Sequence, residues 1–367
     1  MNVYVGLRIY QWLVFYFPNI KRLVFATLYF LVAFSFIFVR LPINLPTIIK
    51  NTLNLIGAYW MGAFIYFMIF FVLADALLLI GNVAKLIPPH MLKNARFYAG
   101  AAVMVFTIGA VLYGLYNARQ IKIVSYDLNL NKELNKSLTN KMNIVLISDL
   151  HLGDINSEKH LEGIVRAINN LTPDIVCIAG DIFNDNFYNI RNPDRASDLL
   201  NSINTPFGVY ASLGNHDGGS TLNEMAEFLK SSGIKLLNDE YVIIDERLIL
   251  IGRLDSSPIG GFGEMKRKCF SEIYANIKAD LPIAVMDHNP TNINEYGSEV
   301  DLILSGHTHR GQLFPGGLIT RMMFTVDYGH YQKDSESPHV IVSQGVHTWM
   351  MPMRVGTNNE IVSILIN

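Results

Sequence analysis

Long hydrophobic runs occupy the amino-terminal third of this chain, and shorter runs alternate with polar segments over the rest. Three long runs precede residue 120, namely Leu23–Val39, Leu55–Ile80 and Phe97–Tyr116, and their one charged residue is Asp75. A helix rises about 1.5 Å per residue, so about 20 apolar residues cross the roughly 30 Å hydrocarbon layer of a bilayer. The pattern predicts a transmembrane helical region over residues 1–120 with about three spans.

A fourth apolar segment, Ile9–Phe17, is too short to cross a bilayer and is stopped by Pro18. We interpret it as either the stub of a further helix or an interfacial segment. A cleaved signal peptide, the alternative for the first run, has one short apolar core, whereas this region has several long ones. Asp75 has two interpretations: a functional acid within the membrane, or a residue that lies near the headgroups or faces a neighbouring helix.

Basic residues flank the predicted spans unequally. Three precede the first span and three lie between the second and third, whereas two follow the first span and two follow the third. Arg8, Lys21 and Arg22 precede the first span, and Lys85, Lys93 and Arg96 lie between the second and third. Arg40 and Lys50 follow the first span, and Arg119 and Lys122 follow the third. Basic loops stay in the cytoplasm, so three spans predict an integral protein of the cell membrane with its large domain outside. A further span at Ile9–Phe17 would invalidate this orientation.

Short runs rich in Val, Ile and Leu follow residue 140, and we interpret them as buried strands. They are Asn143–Ser148, Ile175–Ala179, Phe207–Leu213, Tyr241–Ile244, Leu248–Gly252, Ile283–Met286, Leu302–Leu304, Val340–Ser343 and Ile361–Ile366. Helix-like segments separate the early strands, at Glu158–Asn170 with Ser157 as candidate cap, Ala196–Ile203 and Leu222–Ser232. This alternation predicts an α/β domain over residues 141–367, preceded by a linker over residues 121–140. The later strands have fewer helices between them, which suggests a second sheet packed on the first.

Composition limits the chemistry available to this domain. The 367 residues are 50% hydrophobic and 16% charged, and the formal net charge is −2. The chain has no basic excess of the kind that binds nucleic acid, and none is predicted as a partner. Its two cysteines, Cys177 and Cys269, are far apart and form no Cys-x-x-Cys motif. Any metal must therefore be held by His, Asp, Glu or Asn side chains.

Polar side chains follow five of the predicted strands, at the point where each strand ends. They are Asp149, His151, Asp181, Asn215, His216, His288, His307 and His309. Ligands of open α/β sheets bind at the carboxyl ends of strands, so we expect these side chains to converge. Carboxylates and imidazoles are costly to bury without partners, and a divalent cation would offset that cost. Imidazole nitrogen, carboxylate oxygen and amide oxygen suit Zn, Mn, Fe or Ni.

The order of these motifs resembles that of the calcineurin-like metallophosphoesterases. The matching motifs are Asp149-x-His151, Gly180-Asp181, Gly214-Asn215-His216-Asp217, His288 and Gly306-His307-Thr308-His309. The resemblance covers Lys141 to the end of the chain. The stretches Gly306–Pro315 and Ser343–Arg354 look like the membrane-associated bacterial subgroup. One departure is Gly218-Gly219, where many members of the family carry larger side chains, and it leaves the shape of the pocket open.

The resemblance implies a two-sheet α/β/β/α sandwich, preceded here by the transmembrane region, and two divalent metal ions (Mn, Fe, Zn or Ni). Its ligand sets would be Asp149, His151 and His309 for one metal and Asn215, His288 and His307 for the other, with Asp181 bridging. His216 would donate a proton to the leaving oxygen or stabilise charge there. Asp217 would orient His216 or pin the turn, and the second role is favoured. Arg310 and Arg354 would contact substrate phosphate or serve as surface or fold-supporting residues.

These features together predict a membrane-anchored, dinuclear metal-dependent phosphoesterase that hydrolyses phosphate ester or pyrophosphate bonds. The membrane anchor suggests a phosphorylated lipid or lipid-linked substrate, and a soluble phosphorylated small molecule stays open. One alternative is a metal-containing membrane sensor or binding protein without turnover. Another is a transporter that uses the helices as a pathway, for which the spans are few. The substrate, the native metals and the oligomeric state are not specified by these patterns.

Overall fold

A computed structural model describes residues 1–41, 45–130, 132, 134, 141–153, 155 and 158–367. The chain divides into two compact units, one of residues 1–116 with 350–353 and one of residues 117–349 with 354–367. The candidate cap Ser157 and much of the predicted linker lie outside the described residues.

The first unit is helical. Its helices are α1 (Asn2–Tyr16), α2 (Arg22–Ala33), α3 (Ser35–Phe38), α4 (Thr47–Val83) and α5 (Leu92–Asn117). Within the described ranges, two helical segments are long and apolar enough to cross a membrane, Ile48–Val83 and Pro89–Asn117. They contain the second and third of the predicted spans, and the short predicted segment Ile9–Phe17 lies largely in α1.

The first predicted span, Leu23–Val39, is not one continuous helix. Helix α2 ends at Ala33, and Phe34 leaves helical geometry with φ −113° and ψ 7° before α3 begins. The Ser35 hydroxyl donates to the Val32 carbonyl at 2.8 Å, a local bond that competes with regular helix pairing. The 12 residues of α2 extend about 18 Å, which is less than the hydrocarbon thickness. Hydropathy detects the apolar run but not this interruption.

The second unit is built from two mixed six-stranded sheets within the described residues. The first sheet has the order β1-β12-β2-β3-β4-β5 and the second β10-β11-β9-β8-β7-β6. The strands are β1 (Ile121–Leu128), β2 (Met142–Ile147), β3 (Ile175–Ala179), β4 (Val209–Ser212), β5 (Ile234–Leu236), β6 (Glu240–Ile244), β7 (Leu248–Gly252), β8 (Ile283–Met286), β9 (Leu302–Ser305), β10 (Gly329–Tyr331), β11 (His339–Val342) and β12 (Asn359–Ile366). Strands β2 to β5 run parallel to one another, as do β7, β8, β9 and β11. Their carboxyl ends therefore share one edge in each sheet.

Alternate residues of each central strand face different layers. In β2, Val145 and Ile147 belong to the core under the helices, whereas Ile144 and Leu146 belong to the core between the two sheets. The helices of the second unit are α6 (Glu158–Asn170), α7 (Pro193–Asn201), α8 (Leu222–Ser231), α9 (Phe270–Tyr274) and α10 (Gly316–Met323). Residues of α6, α7 and α8 share the core of the first sheet, and residues of α9 share the core of the second. The predicted α/β/β/α sandwich is confirmed.

One segment differs from its prediction as linker. Residues 121–128 form β1, which pairs in parallel with the whole length of β12. Half of the side chains in its sequence are polar and most of the strand is at least partly exposed, so it lacks the apolar run that marks the other strands. Strands β5 and β10, of three residues each, are likewise absent from the predicted strands.

Candidate metal centre

The eight predicted site residues lie in the loops that directly follow β2, β3, β4, β8 and β9. Six of them form two groups, and within each group the ligand atoms lie within 4.8 Å of one another. One group is Asp149, His151 and His309, and the other is Asp181, His288 and His307. The carboxyl ends of parallel strands meet at one edge, which is why loops far apart in sequence deliver these side chains together.

The first group is close enough to surround one ion. His151 Nε2 lies 3.1 Å from His309 Nε2, and His309 Nε2 lies 3.3 Å from Asp149 Oδ1. All three side chains are buried. The Ser148 hydroxyl and the backbone N–H of His307 donate to the Asp149 carboxylate and hold it in this orientation.

The second group shares a carboxylate with the first. Asp181 Oδ2 lies 3.1 Å from His288 Nε2 and 3.8 Å from His151 Nε2, so it lies between the two groups. Asn215 joins the second group, because its Oδ1 lies 2.9 Å from His307 Nδ1. The geometry thus brings together all seven residues predicted as ligands.

Several of these residues have an uncommon backbone conformation. Left-handed φ values occur at Asp149 (56°), His151 (43°), Asp181 (52°), His307 (74°) and His309 (46°). Each such non-glycine residue costs on the order of 1–3 kcal/mol, and this strain concentrates at functional sites. The left-handed conformation turns the chain sharply at the strand ends, so that these side chains point back toward the edge that the strand ends share.

Glycines make room for the close approach of these loops. Gly180 has φ +76°, and a Cβ there would lie 2.6 Å from His288 Nδ1. A Cβ on Gly214 would lie 2.3 Å from Asp181 Oδ1. Neither position has space for a side chain, which explains both glycines in the motifs.

Burial keeps three imidazoles neutral. It lowers the pKa of His151 to about 3 and that of His307 to about 4. The pKa of His309 is well below its usual range, because of burial foremost and because the Arg354 charge adds to it. Arg354 Nη2 lies 3.2 Å from His309 Nδ1. Neutral imidazole is the form that binds metal.

The carboxylates and the remaining imidazole respond to one another. Burial raises the pKa of Asp149 to about 6. Burial also opposes the charge on Asp181, but the facing imidazoles, His288 foremost, lower its pKa below the usual range. Although burial opposes it, the Asp181 charge raises the pKa of His288 well above 6.5.

This donor set fits divalent cations. His288 Nδ1 lies 2.7 Å from the Ala179 carbonyl, so that bond fixes the ring. The buried Nε2 of His288 makes no hydrogen bond within the described part of the chain, although Asp181 Oδ2 is 3.1 Å away. A shared cation would satisfy both atoms. Imidazole, carboxylate and amide oxygen suit Zn, Mn, Fe or Ni.

His216 contacts a residue that the motifs did not indicate. Its Nδ1 lies 2.5 Å from Asp185 Oδ1, which leaves Nε2 as the free edge of the ring. Burial alone would lower its pKa, but the hydrogen bond to Asp185 and the Asp181 charge raise it. The polar run Asn184-Asp185-Asn186, which begins three residues after the predicted ligand Asp181, was the available sequence signal.

Asp217 pins the turn rather than orienting His216. Its two carboxylate oxygens accept the backbone N–H groups of Phe183 and Gly214, each at 2.8 Å. Asp217 therefore ties the loop after β3 to the loop after β4. This is the role favoured from the sequence.

The two candidate arginines have different surroundings. Arg354 is fully buried and donates to the backbone carbonyls of Gln344 and His347 at 2.6 and 2.5 Å. It supports the loops behind the centre. Arg310 lies over the Tyr328 ring, with Cζ 4.5 Å from the ring centroid, and is partly exposed.

The departure at Gly218-Gly219 has a structural reason. A Cβ on Gly218 would lie 2.7 Å from the Gly261 carbonyl and 2.9 Å from the Ile259 carbonyl. The Gly219 N–H donates to the backbone carbonyl of Gly261, and the Ile259 N–H donates to the backbone carbonyl of Asn215, both at 2.8 Å. The two glycines let residues 259–261 pack against the loop that carries Asn215.

Comparisons with known proteins agree with these motifs. A family model described as calcineurin-like phosphoesterase matches residues 142–311. An uncharacterized metallophosphoesterase of Aquifex aeolicus is 32% identical over 261 residues, covering 70% of this chain and 97% of that protein. One of Campylobacter jejuni is 30% identical over 265 residues, covering 70% and 66%. A Danio rerio protein named transmembrane protein with metallophosphoesterase domain is 29% identical over 288 residues, covering 74% and 64%.

Proposed function

Because this chain belongs to the calcineurin-like metallophosphoesterase family, we propose that it is a membrane-anchored, dinuclear metal-dependent phosphoesterase. One cation would be held by Asp149, His151 and His309, and the other by Asn215, His288 and His307, with Asp181 contacting both. The observation that carries this proposal is the position of Asp181 Oδ2, 3.1 Å from one imidazole nitrogen and 3.8 Å from another.

The proposed reaction is attack of water on phosphorus of a phosphate ester or pyrophosphate. When bound, the two cations neutralise charge on the phosphoryl oxygens and lower the pKa of water. His216 would donate a proton from Nε2 to the leaving oxygen, because its Nδ1 is engaged by Asp185 and its pKa is raised. Asp185 acts through His216 and is therefore a positioning residue.

The helical region supports membrane anchoring and a substrate at the bilayer surface. Two helices have the length and apolar character of membrane spans, and relatives of Danio rerio and Bos taurus are named as transmembrane proteins. We propose a phosphorylated lipid or lipid-linked substrate on this basis. A soluble phosphorylated small molecule would reach the same centre.

An extracytoplasmic domain requires that the chain cross the membrane three times, once through α2 and α3 together, once through α4 and once through α5. If only α4 and α5 cross, the segments before α4 and after α5 lie on the same side of the membrane. Together these segments carry more basic residues than the turn between the two helices, which would place the domain on the cytoplasmic side. An exposed native cysteine, Cys269, distinguishes these cases, because the other cysteine is buried.

Metal counting and turnover on the purified full chain test the proposal. Equilibrium dialysis should find two Mn²⁺ ions per chain, and Asp181→Asn should weaken the binding of both. Asp194→Asn, at an exposed carboxylate on α7, is the matched control and should bind like the wild type. No bound Mn²⁺, Zn²⁺, Fe²⁺ or Ni²⁺ would overturn the proposal.

The second candidate is a metal-containing sensor or binding protein without turnover. His216→Ala separates the two, since removing a general acid slows an enzyme by roughly 10²–10⁴ while leaving metal count unchanged. Metal-loaded wild type that hydrolyses neither aryl phosphates nor lipid extracts would favour the sensor.

A further inference from the structure

A cavity of about 600 Å³ lies among helices of the first unit, separate in its lining from the metal centre. Its walls come from α1, the carboxyl end of α4, the turn after α4 and the start of α5. Charged side chains and aromatic rings line it together, a combination that an ordinary apolar gap between helices lacks.

The one acid in this lining is already neutralised. Asp75 accepts hydrogen bonds from the Tyr4 hydroxyl at 2.5 Å and from Arg8 Nε at 2.9 Å. Asp75 therefore faces a neighbouring helix, the second of its two sequence interpretations. Its charge is balanced by Arg8, so this pair contributes no net charge to the cavity.

Two further cations in the lining have no acidic partner. Lys93 and Arg96, on the first two turns of α5, form no ion pair within the described ranges of the chain. Lys93 Nζ lies 5.5 Å from the Phe15 ring centroid, above the aromatic wall. Both side chains are exposed, so the cavity presents about two positive charges at its open side, and an anion complements them.

A buried donor points to the same kind of ligand. Trp12 lines the cavity, and its indole Nε1 is buried without a hydrogen-bond partner among the described residues. Gly100 permits this position, because a Cβ there would lie 2.5 Å from Trp12 Cδ1. A buried N–H without an acceptor is unfavourable, and a ligand oxygen would reach Nε1 after a small rotation of the indole ring away from Gly100.

The depth of the cavity indicates a lipid. Asp75 lies eight residues before the end of α4, about 12 Å along the helix, and Lys93 lies in the first turn of α5. The cavity is therefore at one end of the α4–α5 pair, at the headgroup level of a bilayer. Exposed apolar side chains of the same helices, such as Leu79 and Val72, would contact acyl chains.

We propose that this cavity binds the headgroup of an anionic glycerophospholipid. Lys93 and Arg96 bind the phosphodiester oxygens, and Trp12 Nε1 donates to one of them. Basic pockets between transmembrane helices are known to suit such headgroups. The proposal rests on membrane insertion, a part of the proposed function, but not on the hydrolytic chemistry.

The test compares phosphatidylglycerol with phosphatidylcholine on the full chain in detergent micelles, with bound lipid counted by native mass spectrometry. The wild type should bind phosphatidylglycerol at least tenfold more tightly. The double variant Lys93→Gln, Arg96→Gln should lose roughly 30-fold in affinity, since each cation contributes a factor of about 5. Trp12→Phe, which keeps an aromatic ring but removes the N–H, should lose several-fold.

The matched control is Lys85→Gln with Arg22→Gln, which removes two charges of the same unit outside the cavity lining. Equal losses in this control, or equal binding of both lipids by the wild type, would overturn the proposal. Displacement of the lipid by millimolar inorganic phosphate would also overturn it, in favour of a soluble anion. Phosphodiester hydrolysis by each variant separates failure of this site from failure of the metal centre.

Discussion

Replacing Asp185 by Asn tests how the proposed proton donor is held. Asp185 Oδ1 lies 2.5 Å from His216 Nδ1, and this contact raises the pKa of His216 against the effect of burial. Asn keeps the shape and an acceptor oxygen but removes the negative charge. The imidazole should then lose its proton at a lower pH, while the metal ligands keep their contacts.

The size of the effect follows from the exposure of Asp185. A hydrogen bond to a charged group contributes about 1.5–3 kcal/mol when buried. The Asp185 side chain is 49% exposed, so solvent screening reduces its contribution to about 1 kcal/mol. This corresponds to roughly a fivefold loss of rate and a shift of somewhat less than one pKa unit.

The assay is hydrolysis of alkyl and aryl phosphodiesters by the Mn²⁺-loaded full chain between pH 6 and pH 10. Protonated His216 is the active form, so activity falls as pH rises through its pKa. A lower pKa moves this alkaline limb to lower pH. The alkyl substrate should lose about fivefold and the aryl substrate less, because its leaving group needs less protonation.

A purely structural role for Asp185 gives a different result. Both substrates would then lose the same factor, and the alkaline limb would stay where it is in the wild type. That outcome would refute the reasoning. Asp194→Asn, at an exposed carboxylate on α7, should leave both rate and pH profile unchanged.

Three other predictions concern metal, stability and topology. Burial raises the pKa of Asp149 to about 6, so Asp149 takes up a proton as pH falls through that value and competes with the metal. Mn²⁺ affinity by dialysis should therefore be at least about tenfold weaker at pH 5 than at pH 8, and equal affinities would contradict this. Arg354→Met removes the hydrogen-bond donors of the Gln344 and His347 carbonyls. The free energy of unfolding, measured by chemical denaturation, should fall by about 3–5 kcal/mol. A loss below about 1 kcal/mol would be inconsistent with the burial of Arg354. An impermeant maleimide should label exposed Cys269 on intact cells if the domain is extracytoplasmic, and only after lysis if it is not.

Much of the second unit could be predicted because its central strands are buried on both faces. Such strands are continuous apolar runs, and β3, β7 and β8 have the predicted bounds. Polar residues placed at their ends marked the shared edge of the sheets. Strand β1 escaped prediction because Lys122, Ser125 and Asp127 interrupt its apolar residues.

The contacts behind the centre could not be predicted in the same way. Asp185 reaches His216 across 31 positions, and Arg354 reaches His309 across 45, through loop conformations that no local pattern encodes. The left-handed backbone at five of the ligand positions is likewise invisible in residue type, because none of the five is glycine. Tertiary structure decides these features.

The helical unit shows a limit of a different kind. Hydropathy predicts an apolar segment but not a break in a helix, and in the first predicted span the chain leaves helical geometry at Phe34, beside the hydrogen bond from Ser35 to Val32. The partner of Asp75 was also hidden, since Arg8 lies just before the segment Ile9–Phe17, which is too short to span. The packing of α1 on α4 is what brings Arg8 and Asp75 together.

The most direct test of the proposed function is the rate of alkyl phosphodiester hydrolysis by the purified full chain at measured metal occupancy. Turnover should rise as Mn²⁺ fills two sites per chain, cease when a chelator removes the metal, and fall by at least roughly 100-fold in His216→Ala. Two bound ions per chain without hydrolysis of this substrate or of phosphate monoesters would contradict the proposed function.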